Sequence, residues 1–209
     1  MIAARILHVP ERPLPTGLIR SLSPLHTTLF TDKEHRGPWW NARRCWTEPT
    51  EAEHILVVQD DAAMPEGAAK QMLKAVEARP QAIVSFFSQK TAPDAAWIDF
   101  DIEIWGVALC MPAVLARTMV EWVDAAVKDD MPQDDLRVLY FAANRGIPIS
   151  CAVPSLVEHR PDMMSTVSPR PEGNRGYQAG RLWAGEAVDW RGNIVEKHGD
   201  RRPFARSIA

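Results

Sequence analysis

Two pairs of adjacent aspartates and one histidine are the residues whose types and placement could do chemistry: Asp60-Asp61, Asp134-Asp135 and His159. The first pair closes the stretch His54-Ile-Leu-Val-Val-Gln-Asp-Asp61, in which Ile55, Leu56, Val57 and Val58 form an uninterrupted apolar run. Such a run reads as a strand buried on both faces of a mostly parallel sheet. Ligands of open α/β sheets bind beyond the carboxyl ends of the strands, where this pair would sit. Two carboxylates there repel each other unless a positive charge stands between them and a ligand. A divalent cation holding phosphates fits, because Mg²⁺ is typically bound by one or two carboxylates plus substrate phosphates. An acidic turn capping the next helix would explain the same residues with no ion at all. Asp134 and Asp135 open a second helix, where capping and the helix dipole favour aspartate anyway. His159 stands in a loop after the last apolar run, where a lone histidine is ordinarily a polar surface residue. Together, the three features supply what a metal-assisted displacement at a phosphorylated carbon requires. That is a cation site made from a carboxylate and an imidazole, plus a separate carboxylate to take a proton from an attacking hydroxyl.

The elements that must position these residues follow from the pattern of apolar runs and breakers. Strands are expected at 5–9, 26–31, 55–58, 81–87, 105–111 and 147–153. Helices are expected at 14–22, from about Trp39, from Pro65 (with Ala69, Met72, Leu73 and Val76 at helical spacing), from Pro112 to about 127, and at 136–144, the last stopped by Gly146. Residues 97–104 alternate polar and apolar side chains, the mark of a half-exposed, antiparallel strand. Alternation of strands and helices argues for right-handed βαβ units and a parallel sheet. Beyond Pro161 periodicity disappears, and residues 162–209 read as loop-rich and partly mobile until a ligand orders them.

Composition sets the class. The chain has 209 residues, 46% apolar and 24% charged, enough for one domain with a sizeable core. A net charge of −3 gives no overall nucleic-acid footprint, although basic residues outnumber acidic ones beyond His159. Cys45, Cys110 and Cys151 lack the spacing of a zinc site and sit among apolar residues, which suggests reduced, buried thiols. Neither a secretion signal nor a run long enough to span a bilayer is present, so a cytoplasmic protein with no membrane partner is expected.

The order of the parts resembles the GT-A-fold glycosyltransferases, enzymes that use nucleotide sugars and a divalent metal, over most of residues 4–166. Gln59-Asp-Asp61 at its strand end is similar to their DxD-type metal motif, with glutamine at the first acidic position. Asp134-Asp-Leu-Arg-Val-Leu-Tyr-Phe-Ala-Ala-Asn-Arg-Gly146 resembles the acidic helix start where inverting members keep their base. Pro154-Ser-Leu-Val-Glu-His159 is similar to the segment whose histidine completes the metal site. The resemblance implies an α/β, Rossmann-like GT-A domain over 1–209, with a core at about 4–161, a small antiparallel part and a C-terminal lid or acceptor segment. It implies Asp61 and His159 as ligands of Mn²⁺ or Mg²⁺, and Asp60 as a helper acting through water or the donor ribose. Asp135 is implied as general base by its spacing to Gly146, with Asp134 the alternative. The donor, a UDP-sugar or another nucleotide sugar, would meet Arg43 or Arg44 at its phosphates. Asp32 and the Val9-Pro10-Glu11-Arg12 turn would bracket its base, with Trp105 and Gly106 bordering sugar and acceptor.

Read without the resemblance, Gly37-Pro-Trp-Trp-Asn-Ala-Arg-Arg-Cys-Trp46 is either aromatic packing with snorkelling arginines or a phosphate clamp. The acceptor is the least legible part. Arg175, Tyr177, Arg181, Trp183, Trp190, Arg191, Arg201 and Arg202 in the tail fit a phage-type DNA glycosyltransferase acting on a hydroxymethylated pyrimidine, in the cytoplasm of a bacterial host. The same tail could instead fold over the donor as a lid, the acceptor then being a surface glycan or protein. Other classes are a nucleotidyltransferase, against which the glycine-free turn Val-Pro-Glu-Arg-Pro-Leu-Pro15 argues, and a non-catalytic binding module on the same fold.

Overall fold

In the computed structural model, residues 1–101, 103–128, 131, 133–164 and 174–198 are described. The apolar runs become the middle of a sheet. β1 (Ile2–His8) leads through α1 (Thr16–Ser21) to β2 (His26–Thr31), and α2 (Pro38–Thr47) leads on to β3 (His54–Gln59). β4 (Ala62–Ala63) and α3 (Ala68–Ala78) follow, then β5 (Ile83–Ser85), β6 (Trp97–Phe100) and β7 (Ala108–Pro112). α4 (Ala113–Ala126), α5 (Asp134–Arg145), β8 (Ile149–Ala152), β9 (Glu158–His159) and β10 (Ile194–Lys197) complete the order. One sheet runs β10-β6-β8-β5-β7-β3-β1-β2, and β4 with β9 makes a separate two-stranded ladder. β1 pairs in parallel with both β2 and β3, and β8 with β5 and β10 with β6 likewise. β7 runs antiparallel between β3 and β5, and β6 antiparallel to β8. This is the α/β, mostly parallel sheet with a small antiparallel part that the sequence implies.

β3 shows why an unbroken apolar run was needed. Leu56 and Val58 face α1 and α3, in a core with Leu18, Met72 and Val76. Ile55 and Val57 face α2, α4 and α5, in a core with Trp46, Met119 and Phe141. Within this sandwich Arg5 of β1 is 3% exposed, and its guanidinium donates to the carbonyls of Cys45 and Glu48 (2.7 Å to the latter). It thereby satisfies carbonyls that the end of α2 leaves open. The three cysteines are buried free thiols, and burial pushes each thiol pKa up.

Three expectations need correction. α3 begins at Ala68, not Pro65, because Gly67 takes φ +82°, a left-handed conformation that no helix continues through. β6 is buried along its whole length rather than half-exposed. Its polar member, Asp99, is 8% exposed and accepts a bidentate pair from Arg79 at 2.7 and 2.9 Å, so alternation here marks a buried ion pair. The third correction concerns the tail, loop-rich as expected but an integral part of the body between residues 174 and 198. Trp183 and Trp190 are 7% and 4% exposed within the first core, and β10 adds the eighth strand beside β6. Trp190 packs on Trp97 with ring centroids 5.3 Å apart, and its Nε1 donates to Gln71 at 3.0 Å. Among the described residues no helix is long and apolar enough to cross a membrane.

Candidate active site

A cleft of about 760 Å³ opens beyond the carboxyl ends of β1, β2 and β3. Its walls are the turn after β1, the loop from Asp32 to Pro38, the end of β3 with Gln59, Asp60 and Asp61, Asp134 at the start of α5, and residues 162–164. The carboxylates of Glu11, Asp32, Asp60, Asp61, Asp134 and Asp162 line it, with the Arg12 guanidinium facing them. A space of that sign repels phosphates unless a cation enters with them.

The two aspartates at the end of β3 have opposite fates. Asp60 is saturated: its Oδ2 accepts from His8 Nδ1 at 2.8 Å and from the Val9 N–H at 3.1 Å, and its Oδ1 pairs with Arg12. Asp61 Oδ2 accepts from Asn174 Nδ2 at 3.2 Å and lies 3.4 Å from the Arg12 guanidinium. Asp61 Oδ1 is buried without a hydrogen-bond partner, and so is His159 Nδ1. The β4–β9 ladder joins the two residues, pairing Ala62 with His159, and the Arg160 N–H donates to the Asp61 carbonyl at 2.8 Å. His159 Nε2 therefore stops 3.8 Å from Asp61 Oδ1, beyond hydrogen-bond reach. Two donor atoms at that separation can both reach one hard cation, whose ligands sit at about 2.0–2.2 Å. No third histidine, cysteine or carboxylate joins them among the described residues. The rest of such an ion's shell would be water and ligand oxygens, the usual arrangement for Mg²⁺.

On the facing wall, Asp134 and Asp135 are half-buried at the first turn of α5. Asp134 faces the cleft, and burial, with the adjacent Asp135 carboxylate second, pushes its pKa up to about 7. Asp135 turns away: its Oδ2 accepts from the Gly106 N–H at 3.2 Å and its Oδ1 from the Leu136 N–H at 2.8 Å. Burial raises its pKa too, and those hydrogen bonds oppose the rise. The close approach made possible at Gly106 is that of Asp135, since a Cβ added there would lie 2.7 Å from the Asp135 Cβ. Gly106→Ala is expected to push the start of α5 away from the turn before β7 and lower stability by about 1–3 kcal/mol. A urea titration checks this, and an unchanged midpoint would contradict it.

The other residues singled out in the sequence scatter. Asp32, 5% exposed, uses its oxygens on the N–H groups of Arg36 (3.0 Å) and Gly37 (2.8 Å), shaping the loop beside the cleft. Pro10 is exposed at the rim, and Arg12 lies inside. Arg43 pairs with Asp124 of α4 at 2.7 Å, and Arg44 stacks 4.6 Å from the Trp40 ring; neither lines the cleft. Trp105 packs edge-on against Phe100 and Phe87 and donates to Gln89 Oε1 at 3.2 Å. Sequence reasoning missed His8 and Asn174. A polar residue closing the apolar run of β1 was a signal for the former. Nothing in the aperiodic tail announced the latter.

The chain matches no protein-family profile, and no curated protein is detectably similar to it in sequence. Several solved structures align with much of the chain at low similarity. A197 from STIV aligns over 76% of this chain and 84% of its own at 11% identity, with a TM-score of 0.49. The 4-diphosphocytidyl-2C-methyl-D-erythritol synthase of Anaerococcus prevotii aligns over 74% and 88% at 14% identity and a TM-score of 0.47. A glycosyltransferase involved in glycosylation of the major capsid of PBCV-1 aligns over 72% and 80% at 12% identity and a TM-score of 0.40. At such identities and TM-scores the alignments carry no argument, and what the site can do follows from its own atoms.

Proposed function

We propose that this chain is a glycosyltransferase that takes a nucleotide sugar into the acidic cleft together with Mn²⁺ or Mg²⁺ and passes the sugar to an acceptor hydroxyl. The observation that carries the proposal is the Asp61–His159 pair: Asp61 Oδ1, buried and without a hydrogen-bond partner, faces His159 Nε2 at 3.8 Å at the cleft end of β3 with no bond between them. Those two residues would hold the ion, whose charge, when bound, offsets that of the diphosphate leaving group. Arg12, held by Asp60, stands where a second positive group can meet phosphate oxygens. The base and ribose would lie between the turn carrying Pro10 and the Asp32 loop, with Asp60 buttressing that turn through His8 and Val9. Asp134 is the group on the facing wall that can accept the acceptor's proton, which corresponds to an inverting displacement. Asp135 holds Gly106 and the start of α5 in place.

The acceptor reading carried forward is the hydroxymethyl group of a modified pyrimidine in phage-type DNA. With Trp183 and Trp190 in the core, the tail cannot stack them on an extruded base, and Arg181 is paired with Glu186 at 2.8 Å. The exposed Arg175 and Arg191 remain to meet phosphates. Arg201 and Arg202 lie outside the described residues.

The test is a screen of nucleotide sugars for thermal stabilisation with and without Mn²⁺, followed by labelled-sugar transfer to hydroxymethylated DNA across a salt series. A ligand that binds only the native state must raise its stability, so a Mn²⁺-dependent shift with release of nucleoside diphosphate is expected. Pyrophosphate release from a nucleoside triphosphate would instead assign nucleotidyl transfer. Absence of transfer to DNA at low salt, where phosphate contacts are strongest, would move the acceptor to a glycan or protein.

A further inference from the structure

The chain from Asn174 to Ala179 lies over the aspartate–histidine pair and is bonded to both members. Asn174, 4% exposed, donates from Nδ2 to Asp61 Oδ2 at 3.2 Å. Gln178 Nε2 donates to the Asn174 carbonyl at 2.9 Å and to the His159 carbonyl at 3.1 Å. Glu158 Oε1 accepts from the N–H groups of His159 and Ala179, both at 2.9 Å. Downstream the segment is anchored to the body: the Gly180 N–H donates to the Ser88 carbonyl at 2.9 Å, and the Trp183 indole lies 3.4 Å from the position of a Cβ on Gly67.

We infer that Asn174 is a positioning residue for the cation site, tying down Asp61 Oδ2 so that Oδ1 is the oxygen presented toward His159. The inference rests on the reading above in which Asp61 and His159 hold a divalent ion. The identity of the residue matters. An amide has a donor to offer a carboxylate and no charge to cancel it with, so Asp61 keeps its full negative charge for an ion. Its –NH₂ must be the end facing Asp61, because its own carbonyl oxygen there would meet another acceptor. A lysine or arginine in this place would neutralise the site, and an aspartate would repel it.

The geometry also shows what Asn174 holds off. The Arg12 guanidinium already stands 3.4 Å from the same Oδ2. Without the amide, that cation can close on Asp61 and take the charge intended for the ion. Burial of Asn174 and the ties from its backbone carbonyl to Gln178 and to the Tyr177 N–H (2.9 Å) leave its side chain little freedom to release Asp61. Gln178 extends the same function to His159, so one stretch of chain sets the separation of the two donor atoms. Partners of this kind behind a metal ligand typically hold 10–100-fold in affinity.

The experiment is Mn²⁺ titration of the full chain, without nucleotide, read by the loss of the free-ion EPR signal. It compares wild type, Asn174→Ala and the similar-sized Asn174→Leu, each also melted in EDTA. Wild type should bind, and both variants should bind at least about tenfold more weakly while melting in EDTA close to wild type. Equal affinities in all three proteins would overturn the positioning role and leave the cation site standing. Loss of binding that merely tracks a large fall in melting temperature in both variants would assign Asn174 a structural role and overturn the inference. A wild type that binds no Mn²⁺ would overturn the cation reading itself.

Discussion

Asp61→Asn should give a protein that melts at least as high as wild type in EDTA yet gains nothing from Mn²⁺. Both halves of that result come from the same atom. Asp61 Oδ1 is buried with no partner beside the Asp60 carboxylate, and Arg12, 3.4 Å from the other oxygen and already bound to Asp60, offsets only part of that charge. A buried charged oxygen left unpaired costs about 1–3 kcal/mol or more. Asparagine keeps the shape, can still accept from Asn174 and carries no charge to bury, so the cost is relieved rather than deepened. For a chain of this size about 1 kcal/mol corresponds to roughly 2–4 °C. With Mn²⁺ the order reverses. Wild type gains about 2.7 kcal/mol at a hundredfold excess of ion over Kd, and the variant, lacking an anionic ligand, gains none. Differential scanning calorimetry of both proteins in EDTA and in Mn²⁺ reads all four states. Equal stabilisation of the two by Mn²⁺ would remove Asp61 from the cation site and with it the main support for nucleotide-sugar chemistry here. A protein destabilised by its own binding site is the expected signature of a site kept for function.

How much of this was legible in the sequence depended on whether the signal was local. The four apolar residues of β3 read as a doubly buried strand, and they form one, splitting between the two cores as Ile55/Val57 and Leu56/Val58. The acidic pair at its end and the segment carrying His159 each had a readable neighbourhood, and the β4–β9 ladder brings them together. What was not legible was pairing over distance. The alternation in 97–100 looks like one face in water, because nothing local says that Asp99 will meet Arg79 in the interior. Trp183 and Trp190 sit among glycines and arginines with no period to announce a core, yet they bury against α3 and β6. Of the arginines the sequence singled out, Arg43 and Arg44 are engaged by Asp124 and Trp40, and the one that lines the cleft is Arg12, from a turn. His8 and Asn174 make the same point for the carboxylates: which oxygen is tied and which is free is decided by residues remote in the chain.

Asp134→Asn should cost about 10²–10⁴ in turnover and, in the ion-free protein, should raise stability at pH 8 while leaving it nearly unchanged near pH 4. Asp134 is the carboxylate of its pair that faces the cleft, and Asp135 is engaged by Gly106 and Leu136. Burial, then the adjacent carboxylate, lifts the Asp134 pKa to about 7, which suits a base working near neutrality. The direction of the stability effect follows from that lift. The folded protein holds the Asp134 proton more tightly than the unfolded chain, whose carboxyl titrates near the ordinary aspartate value. Between that value and about 7 the folded state carries more protons, so stability falls as pH rises across the window and stays lowered above it. An asparagine carries no such penalty, and the gap between variant and wild type therefore opens with pH. Turnover moves the opposite way, rising through about 7 as the wild-type base ionises, with the rise absent from whatever activity the variant retains. Asp135→Asn differs: the amide it introduces would still hold the Gly106 N–H through its carbonyl oxygen, and most turnover should persist. Thermal melts at pH 4 and pH 8 in EDTA, with kcat/KM profiles for the three proteins, separate the two aspartates. A larger loss of turnover in Asp135→Asn than in Asp134→Asn would transfer the base to Asp135, and a melting gap independent of pH would show that the Asp134 proton is held no more tightly in the folded state than in the unfolded chain.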